Sequence, residues 1–481
     1  MNAPSPATQL PLILDLDGTV LRTDLFLEGL VLAIRRRPWV ALLLPFWLLG
    51  GRAAMKRKVA EAASLRVDLL PLNEDLVRYA ADCDAKGRPV YIASAADEGL
   101  ARRVADRLGF VRDVLASDGE RNLKGAAKAE ALTARFPGGF VYAGDTRADL
   151  PVWKAAAQGV FAGRSRSLER EAGRDGEWAL SLRQSQPGPK VWSKALRLHQ
   201  WAKNGLVFAP LLLAGYEGEP MAWLRAIIAF VAVGLVSSAT YLVNDMLDLE
   251  DDRAHWSKHA RPLASGALPL HYGLIAAPLG VAAGLILGWV AGGASALGCL
   301  LAYLVVTGSY SLGVKRLPMI DVLVIAGLFT VRLLLGAVVV EAPLKPWLFV
   351  FSMFLFTSLS MAKRGAEIGR LGAAGGERLG GRGYVAADGP VVTAFGVASG
   401  VAAILVLVLY LLDEAFAQDF YGAPQLLWAA PVVLGLWLGR VWLLCGRGEL
   451  DDDPVAFAVT DMASLVLAAI LGAAVVAAIA L

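Results

Sequence analysis

The sequence predicts a chain of two folds: an N-terminal α/β, Rossmann-like domain with a helical cap, and a C-terminal all-α bundle of nine transmembrane helices. Three observations predict it. Over residues 1–188, short apolar runs that end in acids alternate with helix-like segments. From 189 to 481, apolar segments follow one another at membrane-spanning length. The whole, 481 residues at 56% hydrophobic content, is too long and too apolar for one soluble domain.

Composition narrows the function classes. A net charge of +3 gives a nucleic-acid partner no support. Cys83, Cys299 and Cys445 lie far apart with no C-x-x-C pair, which argues against a disulfide framework or a zinc site. Pro4 and Pro6 precede a strand-like run, so no signal peptide is predicted.

Residues 10–14 form an apolar run fit for a buried parallel strand, ending in Asp15-Leu16-Asp17-Gly18-Thr19. Aspartates two apart at a strand's carboxyl end point to one side. Residues 25–75 read as the cap. Within them Arg35-Arg36-Arg37-Pro38 interrupts the pattern, and 39–49 is almost wholly apolar before Arg52, Lys56, Arg57 and Lys58. Eleven residues are too few to span a bilayer. Flanking bases with Trp39 and Trp47 suit a helix lying in an anionic lipid interface, and a buried cap helix is the alternative. Strands at 90–93, followed by Ser94, and at 140–143, followed by Gly144-Asp145 and then Asp149, come next. Between them Lys124 and Lys128 stand at the opening of a helix running toward Arg135.

D-L-D-G-T, a strand with Ser, a Lys and G-D-x-x-x-D, in that order, resemble the haloacid dehalogenase (HAD) superfamily of phosphatases. The resemblance implies Asp15 as nucleophile and Asp17 as general acid/base. Ser94 would bind the phosphoryl group. A lysine would neutralise charge, with Lys128 preferred over Lys124 because it begins a K-x-x-x-L helical pattern. Asp15, Asp17 (through its carbonyl), Asp145 and Asp149 would form an Mg²⁺ site.

Residues 184–190 read as the domain boundary. Nine spans are expected near 205–215, 221–243, 272–292, 294–312, 320–340, 346–362, 390–412, 424–444 and 455–480. Lys and Arg fall on alternate connections. That pattern predicts a multi-pass inner (plasma) membrane protein with the N-terminal domain and both chemical regions cytoplasmic and the C-terminus outside.

After the second span stands N-D-M-L-D-L-E-D-D. Asn244, Asp248 and Asp252 recur every four residues, near one face of a continuing helix and spread over ~12 Å of its axis. Hard oxygen ligands there favour Mg²⁺, usually shared with substrate phosphates. Lys258, His259 and Arg261 follow at once, and carboxylates plus bases are what a metal-bridged diphosphate needs. A weaker second region holds Tyr310, Lys315, Asp321, Arg332 within the fifth span, and Lys363-Arg364 with Glu367. Arg332 should face a polar cavity, since an arginine inside an apolar segment costs at least ~2.5 kcal/mol in lipid. Asp451-Asp452-Asp453 reads as a solvated cap, and Asp461 as an intramembrane polar contact.

N-D-x-x-D-x-x-x-D with Y-S-x-x-x-K resembles the UbiA superfamily of intramembrane prenyltransferases over 190–481. The ordinary quinone-making members carry a second aspartate-rich motif, and here only Asp321 is available. The run 198–204 with Lys203, Y-S-L-G-V-K-R-L-P-M-I-D and Lys363-Arg364 look like the decaprenyl-phosphate phosphoribosyltransferase branch. That branch implies phosphoribosyl diphosphate as donor and polyprenyl phosphate as acceptor. Asn244, Asp245, Asp248 and Asp252 would then bind metal and diphosphate. The bases Lys203, Lys258, Arg261, Lys315, Arg332, Lys363 and Arg364 would bind phosphates. His199 and Gln200 line the acceptor entrance or pack a helix start. An aromatic, quinone-type prenyltransferase with a fused phosphatase or a non-catalytic HAD module is the alternative. Homo-oligomerisation is left open.

Overall fold

In the computed structural model, which describes residues 10–118, 121–173, 178–216, 218–373, 375–380, 382–417, 421–450, 457–458 and 460–481, the strand Leu12–Leu14 (β1) is buried at every position. It lies within a six-stranded parallel sheet with β2 (Val90–Asp97), β3 (Asp113–Ser117), β4 (Val141–Gly144), β5 (Gln158–Phe161) and β6 (Trp178–Ser181). The order is β3-β2-β1-β4-β5-β6. Continuous apolar runs suit such strands because helices cover both faces. Leu12 and Leu14 enter one core with Ile92, Val141 and Ala143, while Ile13 enters the other with Phe140, Tyr142 and Phe161. Strand order reverses between β1 and β4, and ligands in open α/β sheets bind outside the strands' carboxyl ends at such a point. Leu14 pairs with Ala143 there, so Asp15 and Asp145 leave the sheet side by side.

Three helices follow β1: α1 (Leu25–Arg36), α2 (Val40–Leu49) and α3 (Gly51–Ala63). Asp24 caps α1 by accepting from the Leu27 amide at 2.9 Å. Two readings of 39–49 were open, and α2 turns its apolar side chains outward. Leu42 is 74%, Phe46 68% and Leu49 85% exposed. The helices that cover the sheet include α4 (Glu74–Ala85), α5 (Glu98–Leu108), α6 (Ala126–Arg135), α7 (Leu150–Ala155) and α8 (Arg166–Ala172).

Beyond α9 (Pro189–Ala195) the chain is helical. Among the described residues seven helical stretches are long and apolar enough to cross a membrane, one of them made of two helices, against the nine spans expected. Residues 205–215 hold the end of a 3-10 run (Leu198–Phe208) and the five-residue α10 (Ala209–Leu213), too short to span. After α11 (Pro220–Leu247) and α12 (Leu249–Ala254), the segments 272–292 and 294–312 are two helices, as expected, which abut within Leu270–Leu312 (α13). Its backbone breaks at Gly292 and Gly293, the latter at φ +59°, a conformation that costs glycine nothing. Then come α14 (Ile320–Val339), α15 (Pro346–Ala373), α16 (Gly389–Asp413), α17 (Ala429–Arg447) and α18 (Met462–Ala480). Asp461, expected inside a span, instead caps α18 by accepting from the Ser464 amide at 2.8 Å, and it pairs with Arg440 at 3.0 Å. Asp451, Asp452 and Asp453 lie outside the described residues.

Two units emerge: Met1–Arg197 with Tyr241–Pro278, and Leu198–Thr240 with Leu279–Leu481. The acidic stretch thus folds with the N-terminal domain. Val31 of α1 shares a core with Ala195, Leu242, Met246, Leu249 and Leu263. The second unit has its own cores, one around Val207, Val233, Leu300 and Leu335, another around Phe329, Phe356 and Val441.

Candidate active sites

At the carboxyl edge of the sheet, oxygens of Asp15, Asp145 and Asp149 lie within 4.8 Å of one another. Lys128, from the first turn of α6, is buried beside them. Its ammonium donates to Asp15 Oδ1 at 2.8 Å and to Tyr142 Oη at 2.9 Å. Tyr142 donates to Asp149 Oδ1 at 2.7 Å. Of the two lysines the sequence offered, Lys128 is the one on Asp15, whereas Lys124 lies in the turn before α6. Asp149 also takes the backbone amides of Asp145 and Thr146, which fixes the loop after β4. Thr19 donates to Asp145 Oδ1 at 3.1 Å. Gly18 sits at φ +75°, and a Cβ there would lie 2.2 Å from Asp145 Oδ2, so the close approach of the two loops needs glycine. Ser94 is fully buried in β2, its Oγ accepting from the Ala96 amide. Asp17 is not in the three-carboxylate group and accepts from the Leu25 amide at the start of α1, at 2.8 Å.

The electrostatics show an excess of negative charge. Burial pushes Asp15 up to about 6, against the pull of Lys128 and with Asp149 adding repulsion. Burial, then Asp149 and Asp15, hold Asp145 well above the ordinary carboxylate range. Burial and then Asp24 do the same to Asp17. Burial works to lower Lys128, but Asp15 and Asp149 overcome it and raise the ammonium. One lysine among these carboxylates leaves charge for a hard divalent cation to neutralise, and oxygen donors of this kind fit Mg²⁺.

The acidic stretch departs from a continuous helix. Asp248 leaves α11 at φ −97°, ψ 16° and begins α12. Asn244 Nδ2 donates to Asp248 Oδ2 at 3.2 Å, as their spacing of four predicts. Asp252 joins Asp245 instead. Both are buried, and Arg261 bridges them at 2.6 and 3.0 Å. Arg197 also pairs with Asp245 and lies over the Tyr241 ring, 4.6 Å from its centre. Burial pushes Asp252 up to about 6 despite Arg261, with Asp245 adding repulsion. Lys258 stands in the short 3-10 turn Lys258–Ala260 that leads to Arg261.

Three contacts from the cap reach this stretch. Arg35 pairs with Asp251 at 2.6 Å and lies 3.7 Å from Asp248. Arg36 lies 3.6 Å from Glu250. Arg253 grips Glu28 through two nitrogens, at 2.8 and 2.5 Å, with both side chains buried.

In the second unit, Asp321 and Arg364 are buried and paired at 2.8 Å. Arg364 also binds Glu367 at 2.5 Å and reaches the Tyr310 hydroxyl at 3.4 Å. Tyr384 donates to Asp321 at 2.7 Å, and Arg382 bonds Tyr310 at 2.9 Å. Lys315 stands in a 3-10 turn (Val314–Arg316) before α14, and Lys363 precedes Arg364 on α15. Lys203 lies 5.9 Å from the centre of the Phe329 ring. Arg332 is buried, bonded to Asn204, the Leu328 carbonyl and the Tyr303 hydroxyl, so all three of its nitrogens have protein partners.

The model of the UbiA prenyltransferase family matches residues 206–467, over half of the 481. The chain belongs to the UbiA prenyltransferase family. Among its relatives, the uncharacterized protein y4nM of Sinorhizobium fredii is 38% identical over 97% of this chain and 91% of its own length. The nodulation protein NoeC of Azorhizobium caulinodans is 34% identical over 57% of this chain and 89% of its own length. A decaprenyl-phosphate phosphoribosyltransferase of Corynebacterium glutamicum is 36% identical over 36% of this chain and 54% of its own length. Family membership and these relatives make the helical part a transferase of the UbiA type.

Sequence reasoning missed Tyr142, Arg197, Arg382, Tyr384 and the arginines of the cap. A tyrosine inside an apolar strand reads as core, and no local pattern links Arg35 to acids 216 residues away.

Proposed function

We propose that the chain is a bifunctional membrane enzyme. Its UbiA part transfers 5-phosphoribosyl from phosphoribosyl diphosphate to a polyprenyl phosphate. Its N-terminal domain, a HAD phosphatase, then removes the 5-phosphate. The product is polyprenyl-phosphoryl-ribose, a lipid-linked pentose donor for cell-envelope glycan synthesis. The observation that carries the reading is the pairing of two chemistries in one chain: a Lys128–Asp15–Asp145 centre, and an acidic stretch in a sequence related to phosphoribosyltransferases. Both work on the cytoplasmic side in this reading.

In the transfer, an oxygen of the lipid phosphate bonds to the anomeric carbon as the bond to diphosphate breaks. Asn244, Asp245, Asp248 and Asp252 are the residues that would hold Mg²⁺, with Arg261 and Lys258 beside the phosphates. Tyr310, Lys315, Asp321 and Lys363-Arg364 serve the remaining phosphate groups, whereas Arg332 and Lys203 support the helices that carry them. When bound, Mg²⁺ neutralises charge on the phosphate oxygens in both reactions.

In the hydrolysis, Asp15 attacks phosphorus and the ester oxygen leaves with a proton from Asp17. Burial, then the charge of Asp24, raises that carboxyl well above the ordinary carboxylate range, which suits a donor. Water then opens the aspartyl-phosphate with Asp17 as base. Lys128 cancels repulsion between the nucleophile and the dianion, and Ser94 binds a phosphoryl oxygen.

Labelled phosphoribosyl diphosphate and polyprenyl phosphate test this directly. Wild type should release inorganic phosphate from the lipid product, and Asp15→Asn should accumulate the phosphorylated lipid. Equal products from both would remove the phosphatase step and leave the transferase standing. The family description itself favours a second reading, prenyl transfer from a prenyl diphosphate to an aromatic ring. Turnover of a prenyl diphosphate, with none of phosphoribosyl diphosphate, would select it.

A further inference from the structure

The cap meets the acidic stretch through charges that are held rigidly. Glu28, one turn into α1, is 2% exposed and takes both terminal nitrogens of Arg253, and Thr23 donates to the same carboxylate. Arg253 is fixed in turn by a bond from its Nε to the Ala264 carbonyl at 2.9 Å. The backbone amide of Arg66 bonds Glu250 at 2.9 Å. With α1 anchored in this way, its last turn cannot drift, and that turn carries Arg35 to Asp251 and Asp248. The Arg35 side chain is 22% exposed, enough to meet a ligand. A planar guanidinium beside a carboxylate that binds a metal is suited to exchange the carboxylate for a phosphate oxygen, because both present the same acceptor geometry.

We infer that Arg35 is a substrate-binding residue of the transferase, supplied by the N-terminal domain to take a phosphate oxygen of the diphosphate held at Asp248. The inference rests on the proposed role of Asp248 in metal–diphosphate binding. In the absence of ligand, Arg35 neutralises Asp248 and Asp251. With Mg²⁺ and diphosphate present, its charge is applied to the leaving group, where negative charge grows during transfer. The N-terminal domain would then serve both reactions, one with its own carboxylates and one with an arginine.

The test is calorimetric binding of magnesium pyrophosphate to the full chain in detergent, with Asp145→Asn present throughout to disable the other carboxylate cluster. Adding Asp248→Ala should abolish binding. Adding Arg35→Ala should weaken it at least about tenfold, the worth of a charge-assisted hydrogen bond, and Arg35→Lys should restore part of the loss. Arg36→Ala removes the neighbouring contact to Glu250 and a bond to the Ala63 carbonyl, and should leave affinity close to that of the parent. Undiminished affinity in Arg35→Ala, or an equal loss in Arg36→Ala, would overturn the inference while the Asp248 result stands. If the parent fails to bind, or Asp248→Ala binds as the parent does, the Asp248 role fails and takes the inference with it.

Discussion

Asp15 and Asp252 are carboxylates that burial holds near pH 6, each with a cation alongside. An acid whose folded value is raised above the unfolded 3.8 stabilises the fold fully below that value. It loses the contribution as pH rises through about 6. The metal-free chain should therefore lose thermal stability between pH 4 and pH 7. Mg²⁺, competing with those protons, should raise the melting temperature more at pH 7.5 than at pH 5. Scanning fluorimetry with and without Mg²⁺ measures both, and equal shifts at the two pH values would show that neither cluster holds the ion. Lys128 is the other decisive residue. Lys128→Met keeps its apolar stem but leaves Asp15 without a cation, and phosphatase kcat should fall by about a hundredfold or more. Transfer should persist, as assayed by labelled lipid formation.

At the scale of elements, α1 and α2 carry the tests. Glu28→Ala leaves the Arg253 guanidinium buried without its carboxylate, a change that costs about 3–5 kcal/mol. A lowered melting temperature should follow, and Glu28→Met with Arg253→Met should recover much of it. Helix α2 presents Leu42 and Phe46 outward, with bases on both flanks. If it lies in the lipid interface, Leu42→Ser with Phe46→Ser should slow hydrolysis of a lipid-linked phosphoester in anionic vesicles and leave a soluble phosphoester unaffected. Equal rates on the lipid substrate would remove that role. Much at this scale was legible from sequence, for a local reason. The strand pattern of β1 and β4 is continuous and apolar, and the acids stand directly at the strand ends. Helix breaks were legible in part. Gly292-Gly293 reads as a connection between spans and is one, dividing Leu270–Leu312 into two helices, whereas 205–215 has the composition of a span without its helix.

At the scale of the whole molecule, the proposed scheme runs two reactions in series on one chain, with a lipid intermediate that need not leave the bilayer. A covalent link raises the effective concentration of the second centre for the first product. Mixing Asp15→Asn protein with Asp248→Ala protein should therefore restore the final product more slowly than wild type at equal site concentration. Full restoration at the wild-type rate would mean that fusion confers no transfer advantage. Sequence reading found the parallel sheet and the UbiA-type helices because the patterns of each are local. It missed how the acidic stretch folds with the N-terminal domain, because the pairs that join them, Glu28 with Arg253 and Arg35 with Asp251, are more than 200 residues apart. Charge pairs at that separation leave no periodicity to read.

The twelve residues of α1 begin against Asp17 and end against Asp251. At about 18 Å this helix works as a ruler between the Asp17 loop and the acidic stretch. A single inserted residue would lengthen it by about 1.5 Å and turn its far end by about 100°, so both grips could not be kept. Natural variation should accordingly spare the length of this helix while its solvent-facing letters drift.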